Sequence, residues 1–243
     1  MWTHSSSILR TIPRVSNKSP DTVISVLHPT RRCKEALARK SNWMGMAHRP
    51  DLIEWIFGID EDDRACDLLK EFDHIVVPPP TWDVSKEGGT LCMAMNMMAE
   101  KAKGDLLFQM ADDWYGPYHW DAWFREVMAQ HLDDPKMLSL PDHPGRPANF
   151  DLVCFPLITR KLYEQNGHFY YPEYRHVYVD TDLSLRTRRF GQRVDVPIIP
   201  GFLHDHPFLT GKPSDEVYDR ANSKPAYQYG EAIYMKRNAH LLK

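Results

Sequence analysis

The chain has 243 residues, 42% of them hydrophobic and 26% charged, with a formal net charge of −3. That is enough apolar material for one substantial core and little for two, and the near-balance of charge excludes a global basic field for nucleic acid while leaving room for a local basic face. The four cysteines stand far apart with no CxxC pair, and no stretch approaches the roughly 20 apolar residues of a spanning helix, so a disulfide framework, a zinc knuckle and a membrane partner are excluded and a soluble, cytoplasmic protein is expected.

Residues 1–21 are rich in Ser, Pro and basic side chains and show no hydrophobic period, which predicts an N-terminal extension without order. From there, short apolar runs at 22–27, 52–59, 74–77, 105–110 and 151–155 read as buried strands. Between them, 32–46, 62–70, 90–103 and 120–131 carry apolar residues at three- and four-residue spacing, as amphipathic helices require. The alternation predicts a single α/β domain over 22–212, with a mixed, mainly parallel sheet flanked by helices. A helical extension over 213–243 is expected to pack on it.

In open α/β sheets ligands bind beyond the carboxyl ends of the strands, so the residues after each run carry the chemistry. The first run ends in His28-Pro29-Thr30-Arg31-Arg32, the second in Asp60-Glu61-Asp62-Asp63, the fourth in Asp112-Asp113. Two acidic clusters on one sheet edge repel each other unless a hard cation or a donor-rich ligand lies between them. The stretch from Asp60 to Asp63 has a second use as a cap for the following helix. His204 and His206 flank an acid in a late loop, an arrangement that suits a metal and equally an ordinary exposed pair. Arg186, Arg188, Arg189 and Arg193 fall within eight positions, forming either a basic rim or a solvated helix face. Gly88-Gly89 has neither GxxxxGK[ST] nor GxGxxG around it, and Met93, Met95, Met97 and Met98 on the next helix read as core filling. Most of the rings crowded after Asp113 and before Asp180 read as core or rim, and Trp114 beside a donor and Tyr174 on an acceptor side are the two favoured if any bind ligand.

Five stretches in order resemble the family-2-like glycosyltransferases of GT-A fold, in particular the short soluble versions encoded by phages and bacteria. They are the run from Ile24 to Arg31, that from Ile56 to Asp63, that from Gly104 to Trp114, Tyr171-Pro172-Glu173-Tyr174 with Asp180-Thr181-Asp182-Leu183, and His204-Asp205-His206-Pro207. The resemblance implies a nucleotide-diphosphate sugar donor, UDP-type by preference, a hydroxyl acceptor and a divalent metal, Mn2+ or Mg2+. It implies that Pro29, Thr30, Arg31 and Asp60 hold the uracil and ribose, with Asp62 beside them. The family's metal motif, Asp-any-Asp, here reads Ala111-Asp112-Asp113 and lacks its first acid. Asp113 then becomes the ligand, Asp112 a contact to ribose or metal-bound water, and His204 or His206 completes the coordination. Asp180 matches the catalytic base of inverting members, although Val179 stands where that motif has Glu. Asp182, Arg188 and Arg189 join Tyr174 as acceptor-side candidates, and relatives that glycosylate hydroxymethylated bases make modified DNA one implied acceptor. Two other readings stay open: a metal-dependent nucleotide-sugar hydrolase or nucleotidyltransferase using Asp113, His204 and Asp180, and a catalytically silent module that binds nucleotide sugars or nucleic acid.

Overall fold

The structure, a computed structural model, describes residues 21–140, 151–196 and 201–242; nearly all of the expected N-terminal extension lies outside them. In chain order the elements are β1 (Ile24–Thr30), α1 (Cys33–Met46), β2 (Ile53–Asp60), a 3-10 segment (Arg64–Glu71), β3 (His74–Val77), α2 (Val84–Glu87), α3 (Leu91–Lys101), β4 (Leu106–Gln109), β5 (Trp114–Tyr115) and α4 (Trp120–Met128). They continue with β6 (Met137–Ser139), β7 (Leu157–Thr159), α5 (Arg160–Asn166), α6 (Val179–Arg189), β8 (Arg193–Asp195), β9 (Leu203–His204), α7 (Pro207–Thr210), α8 (Glu216–Ala221) and α9 (Lys224–Asn238).

Seven strands form one sheet in the order β3-β2-β1-β4-β7-β6-β8, and β5 pairs with β9 apart from it. The β3-β2-β1-β4 half is parallel, whereas β7 runs antiparallel to β4 and β6. Alternation along the strands divides the core between the two faces. Val26, Phe57 and Phe108 face one cluster with Trp43, Trp120 and Phe124; Leu27, Ile56 and Leu107 face another with Met95, Met98 and Ile158. The methionines of α3 are thus split, with Met95 and Met98 fully buried as core filling.

Pro29 marks where the sheet opens. The β1 ladder to β4 ends at Leu27 with Gln109, while the ladder to β2 continues to Thr30. A proline has no N–H to give a ladder, so it suits the point at which one neighbour has already parted. The gap between the carboxyl ends of β1 and β4 is the mouth of the site.

Two expectations are corrected. The 62–70 helix is a 3-10 segment, Arg64–Glu71, whose first turn is held by Asp63 accepting from the Ala65 N–H at 3.2 Å. The run at 151–155 is not a strand. Its backbone is satisfied by side chains, the Val153 N–H donating to Ser184 Oγ at 2.9 Å and the Asp151 carbonyl accepting from Arg193 at 2.9 Å, and Pro156 then interrupts any ladder. The strand of this stretch is β7, directly after that proline.

One buried polar cluster fixes α4 to the loop after α1. Asp121, fully buried, accepts from the backbone N–H groups of His48 at 2.7 Å and Arg49 at 2.9 Å and from Arg125 at 2.6 Å. Asp121→Ala leaves the buried Arg125 guanidinium, still bonded to the Thr22 and Leu52 carbonyls, without its counter-charge and two N–H donors without their acceptor, so a loss of about 3–5 kcal/mol is expected in denaturant unfolding. Burial alone would raise the Asp121 carboxyl, but these donors outweigh it and hold it below its ordinary value of 3.8. A depressed folded-state value means that the stabilisation is full above pH 3.8 and is lost as pH falls below it.

Candidate active site

A cavity of about 710 Å³ opens at the mouth between β1 and β4. Its walls come from the ends of β1, β2 and β4, from the start of α3 and α6, from the His204 loop, and from α8 and Tyr227 of α9. The C-terminal helices are therefore part of the cavity and not merely packed against the domain. Arg32 ties them down, its Nε and Nη2 donating to Asp215 at 2.9 and 2.7 Å while its Nη1 lies 3.9 Å from Asp112.

On the β1–β2 side, Arg31 bonds both Asp60 and Asp62, and the Thr90 hydroxyl donates to Asp60 at 2.7 Å. Burial would lower the Arg31 guanidinium, yet these carboxylates raise it above its ordinary value. Pro29, Thr30, Arg31 and Asp60 line the cavity; Asp62 does not, and with its side chain 65% exposed it serves to hold Arg31 from outside.

At the end of β4 the two acids divide their work. Asp112 is anchored, accepting from His28 Nε2 at 2.9 Å and the Thr30 hydroxyl at 3.0 Å, while its carbonyl accepts from Arg39 at 3.0 Å. Asp113, more open, faces His204, whose Nε2 lies 3.5 Å from its Oδ2, and the His206 ring centre is 4.8 Å from that of His204. Burial pushes the Asp113 carboxyl up, but the hydrogen bond from His204 and the charges of His204 and His206 prevail and hold it below the ordinary carboxylate range. The β5–β9 ladder, in which Trp114 pairs with His204, creates this juxtaposition of residues 91 positions apart.

Among the described residues no group of three or more His, Cys, Asp or Glu side chains is arranged to hold a metal ion unaided. Asp113 with His204 still suits a hard or borderline divalent cation, because such ions commonly take one or two protein ligands and complete their shell with substrate phosphates and water.

Asp180 sits in the first turn of α6 on the cavity wall, its Oδ1 accepting from the Thr181 N–H at 2.8 Å. α6 is entered through Tyr178, a non-glycine residue with φ of 70°, a conformation that costs about 1 kcal/mol.

Several expected site residues lie elsewhere. Trp114 is fully buried, stacked on Phe155 at 4.2 Å between ring centres and against Phe202 at 5.3 Å, so it belongs to the core and not to a donor contact. In an extended segment neighbours face opposite ways, and with Asp113 toward the cavity Trp114 points inward. Tyr174 is 1% exposed, packed in the α3 side of the core, and does not reach the cavity; Phe155, Tyr170, Tyr178, Tyr218 and Tyr227 are the aromatic rings on its wall. Asp182 is buried and accepts from Asn238 at 2.7 Å and Arg237 at 3.3 Å, fastening α6 to α9. Asp182→Ala should lower stability by about 1–3 kcal/mol by stranding the Asn238 amide, seen as a lower Tm. Arg188 pairs with Asp151, Arg193 with Asp151 and Asp195, and Arg186 lies over the Phe190 ring. Neither they nor the exposed Arg189 line the cavity, so the basic rim beside Asp180 does not form.

No protein-family model and no curated protein matches this chain. Among solved structures it is similar to the mannosyltransferase PcManGT from Pyrobaculum calidifontis in complex with GDP-Man and Mn2+, with TM-score 0.56 and 13% identity over 96% of this chain and 76% of that one. It is also similar to S. aureus TarS 1-349, with TM-score 0.57 and 10% identity over 89% of this chain and 74% of that one. A further match is TarS 1-349 in complex with UDP-GlcNAc, with TM-score 0.56 and 12% identity over 89% and 73%. The likeness is one of fold: the chain has the GT-A fold of nucleotide-sugar glycosyltransferases.

Proposed function

We propose that this chain is a metal-dependent glycosyltransferase that moves a sugar from a nucleoside-diphosphate donor to a hydroxyl acceptor. The observation that carries this reading is the convergence on one cavity of the Arg31–Asp60 pair, the Asp113–His204 pair and Asp180, contributed by five separate stretches of chain. The fold it shares with PcManGT, crystallised with GDP-Man and Mn2+, and with TarS, crystallised with UDP-GlcNAc, supports the same reading.

In this mechanism Pro29, Thr30 and Asp60 hold the nucleoside and Asp112 stays fixed by His28 and Thr30. Asp113 with His204 or His206 would hold Mn2+ or Mg2+, which when bound would offset the charge that grows on the leaving diphosphate. Asp180 accepts the proton of the attacking hydroxyl as its oxygen bonds to the anomeric carbon and the carbon–oxygen bond to the diphosphate breaks, a single displacement that inverts the anomeric centre. The acceptor approaches past Tyr178 and Tyr227, without Tyr174, Asp182, Arg188 or Arg189.

A screen of nucleotide sugars with and without Mn2+ tests the reading by thermal shift. A ligand present at 100 times its Kd and bound only by the folded chain stabilises it by about 2.7 kcal/mol. A clear rise in Tm with at least one donor, dependent on metal, is expected. No shift with any donor would overturn the proposal.

A further inference from the structure

His176 belongs to no motif that the sequence offers, yet its surroundings are those of a binding group. It precedes α6 and lines the cavity on the wall shared with Thr90 and Gly89. Two glycines make room for it: a Cβ on Gly88 would sit 3.2 Å from the His176 Cβ, and one on Gly89 would sit 3.2 Å from its Nδ1. Gly88 also has φ of 95°, a conformation that side chains resist. The diglycine therefore serves the close approach of this ring.

Nδ1 of His176 is buried against Gly89, and among the described residues it has no hydrogen-bond partner. A buried N–H without an acceptor costs more than a buried lone pair without a donor. The ring proton is therefore assigned to Nε2, the nitrogen not packed against Gly89. Burial, with the positive charge of Arg220 acting in the same direction and Asp60 opposing, lowers the imidazole to about 4, so the ring is a neutral donor at physiological pH. A neutral donor beside the Asp60 carboxylate suits a neutral polar edge with its own N–H and carbonyl groups, and a nucleobase has such an edge whereas a phosphate does not.

The geometry points to His176 as a donor-binding residue: we propose that its Nε2–H hydrogen-bonds the nucleobase end of the nucleotide, next to Asp60. The inference rests on the proposed function, since it needs a nucleotide in this cavity.

The test replaces the ring by side chains that keep different atoms. Gln carries its amide nitrogen near the position of Nε2, Asn carries one nearer Nδ1, and Phe fills the space with no donor. Titration calorimetry with UDP and GDP, each with Mn2+, and with UMP and GMP measures binding, with unfolding midpoints run beside it. His176→Gln should bind within about threefold of wild type, and His176→Asn and His176→Phe should bind at least about tenfold more weakly, the scale of one lost buried hydrogen bond. The same ratio is expected for the monophosphates. Equal affinity of wild type and His176→Phe would overturn the inference alone, and so would a defect confined to the diphosphates, which would assign the ring to phosphate. Failure of wild type to bind any of the four would overturn the proposed function and this inference with it. Should His176→Phe fail to fold, the contrast between Gln and Asn decides.

Discussion

Asp180→Asn should lower the acceptor-dependent rate by at least about a hundredfold while leaving nucleotide binding within about threefold of wild type. The asparagine keeps the shape of the side chain and a carbonyl oxygen able to accept from the Thr181 N–H, the contact that orients Asp180 now. It cannot take the acceptor's proton. Single-turnover transfer and calorimetry with the nucleoside diphosphate separate the two quantities. Because α6 advances 100° per residue, Asp182 lies roughly 200° round the helix from Asp180, where it meets Asn238 instead of the cavity. Its substitution should therefore move Tm and leave the chemical step nearly intact. A severe rate defect at Asp182 with a mild one at Asp180 would overturn the assignment of the base.

Asp113→Ala should abolish the contribution of Mn2+ to nucleotide binding. Wild type is expected to bind a nucleoside diphosphate at least about tenfold more tightly with Mn2+ than with EDTA, and the variant to show the same weak affinity in both. The comparison with Asp112→Asn is informative, since Asp112 is held by His28 and Thr30 and its replacement should disturb the loop without removing the metal effect. Equal affinity of wild type with and without metal would overturn the assignment of a metal to Asp113 and His204.

The parallel half of the sheet was legible in the sequence because β1, β2 and β4 are largely buried and spell out continuous apolar runs, and the edge strand β3 keeps a short one; 22–27, 52–59, 74–77 and 105–110 correspond to β1 to β4. The other half was not. β6, β7 and β8 have three residues each, too few to show a period, and the apolar run at 151–155 draws its hydrogen bonds from Ser184 and Arg193, distant in sequence. In the site, the acids were legible from their places after strands. The rings were not, because nothing in the local sequence separates the buried Trp114 and Tyr174 from Tyr178 and Tyr227, whose place on the cavity wall depends on how α6 and α9 pack. His28 carried one readable signal, a polar residue inside a buried run that must find a partner; the partner, Asp112, is 84 positions away. For His176 the only local hint lay in the diglycine at 88–89, whose meaning depends on a neighbour nearly ninety positions on.

The share of the cavity wall taken by α8 and by Tyr227 of α9 bears on how the protein is made. Synthesis runs from the amino end, so the parallel sheet and the acids at its edge are made before residues 216–227. Arg32 is made long before Asp215, its partner 183 positions away. Until residues 216–227 are made the acid-lined cleft lacks the part of its wall that they supply, and a stretch far along the sequence completes a site whose chemistry is laid down much earlier.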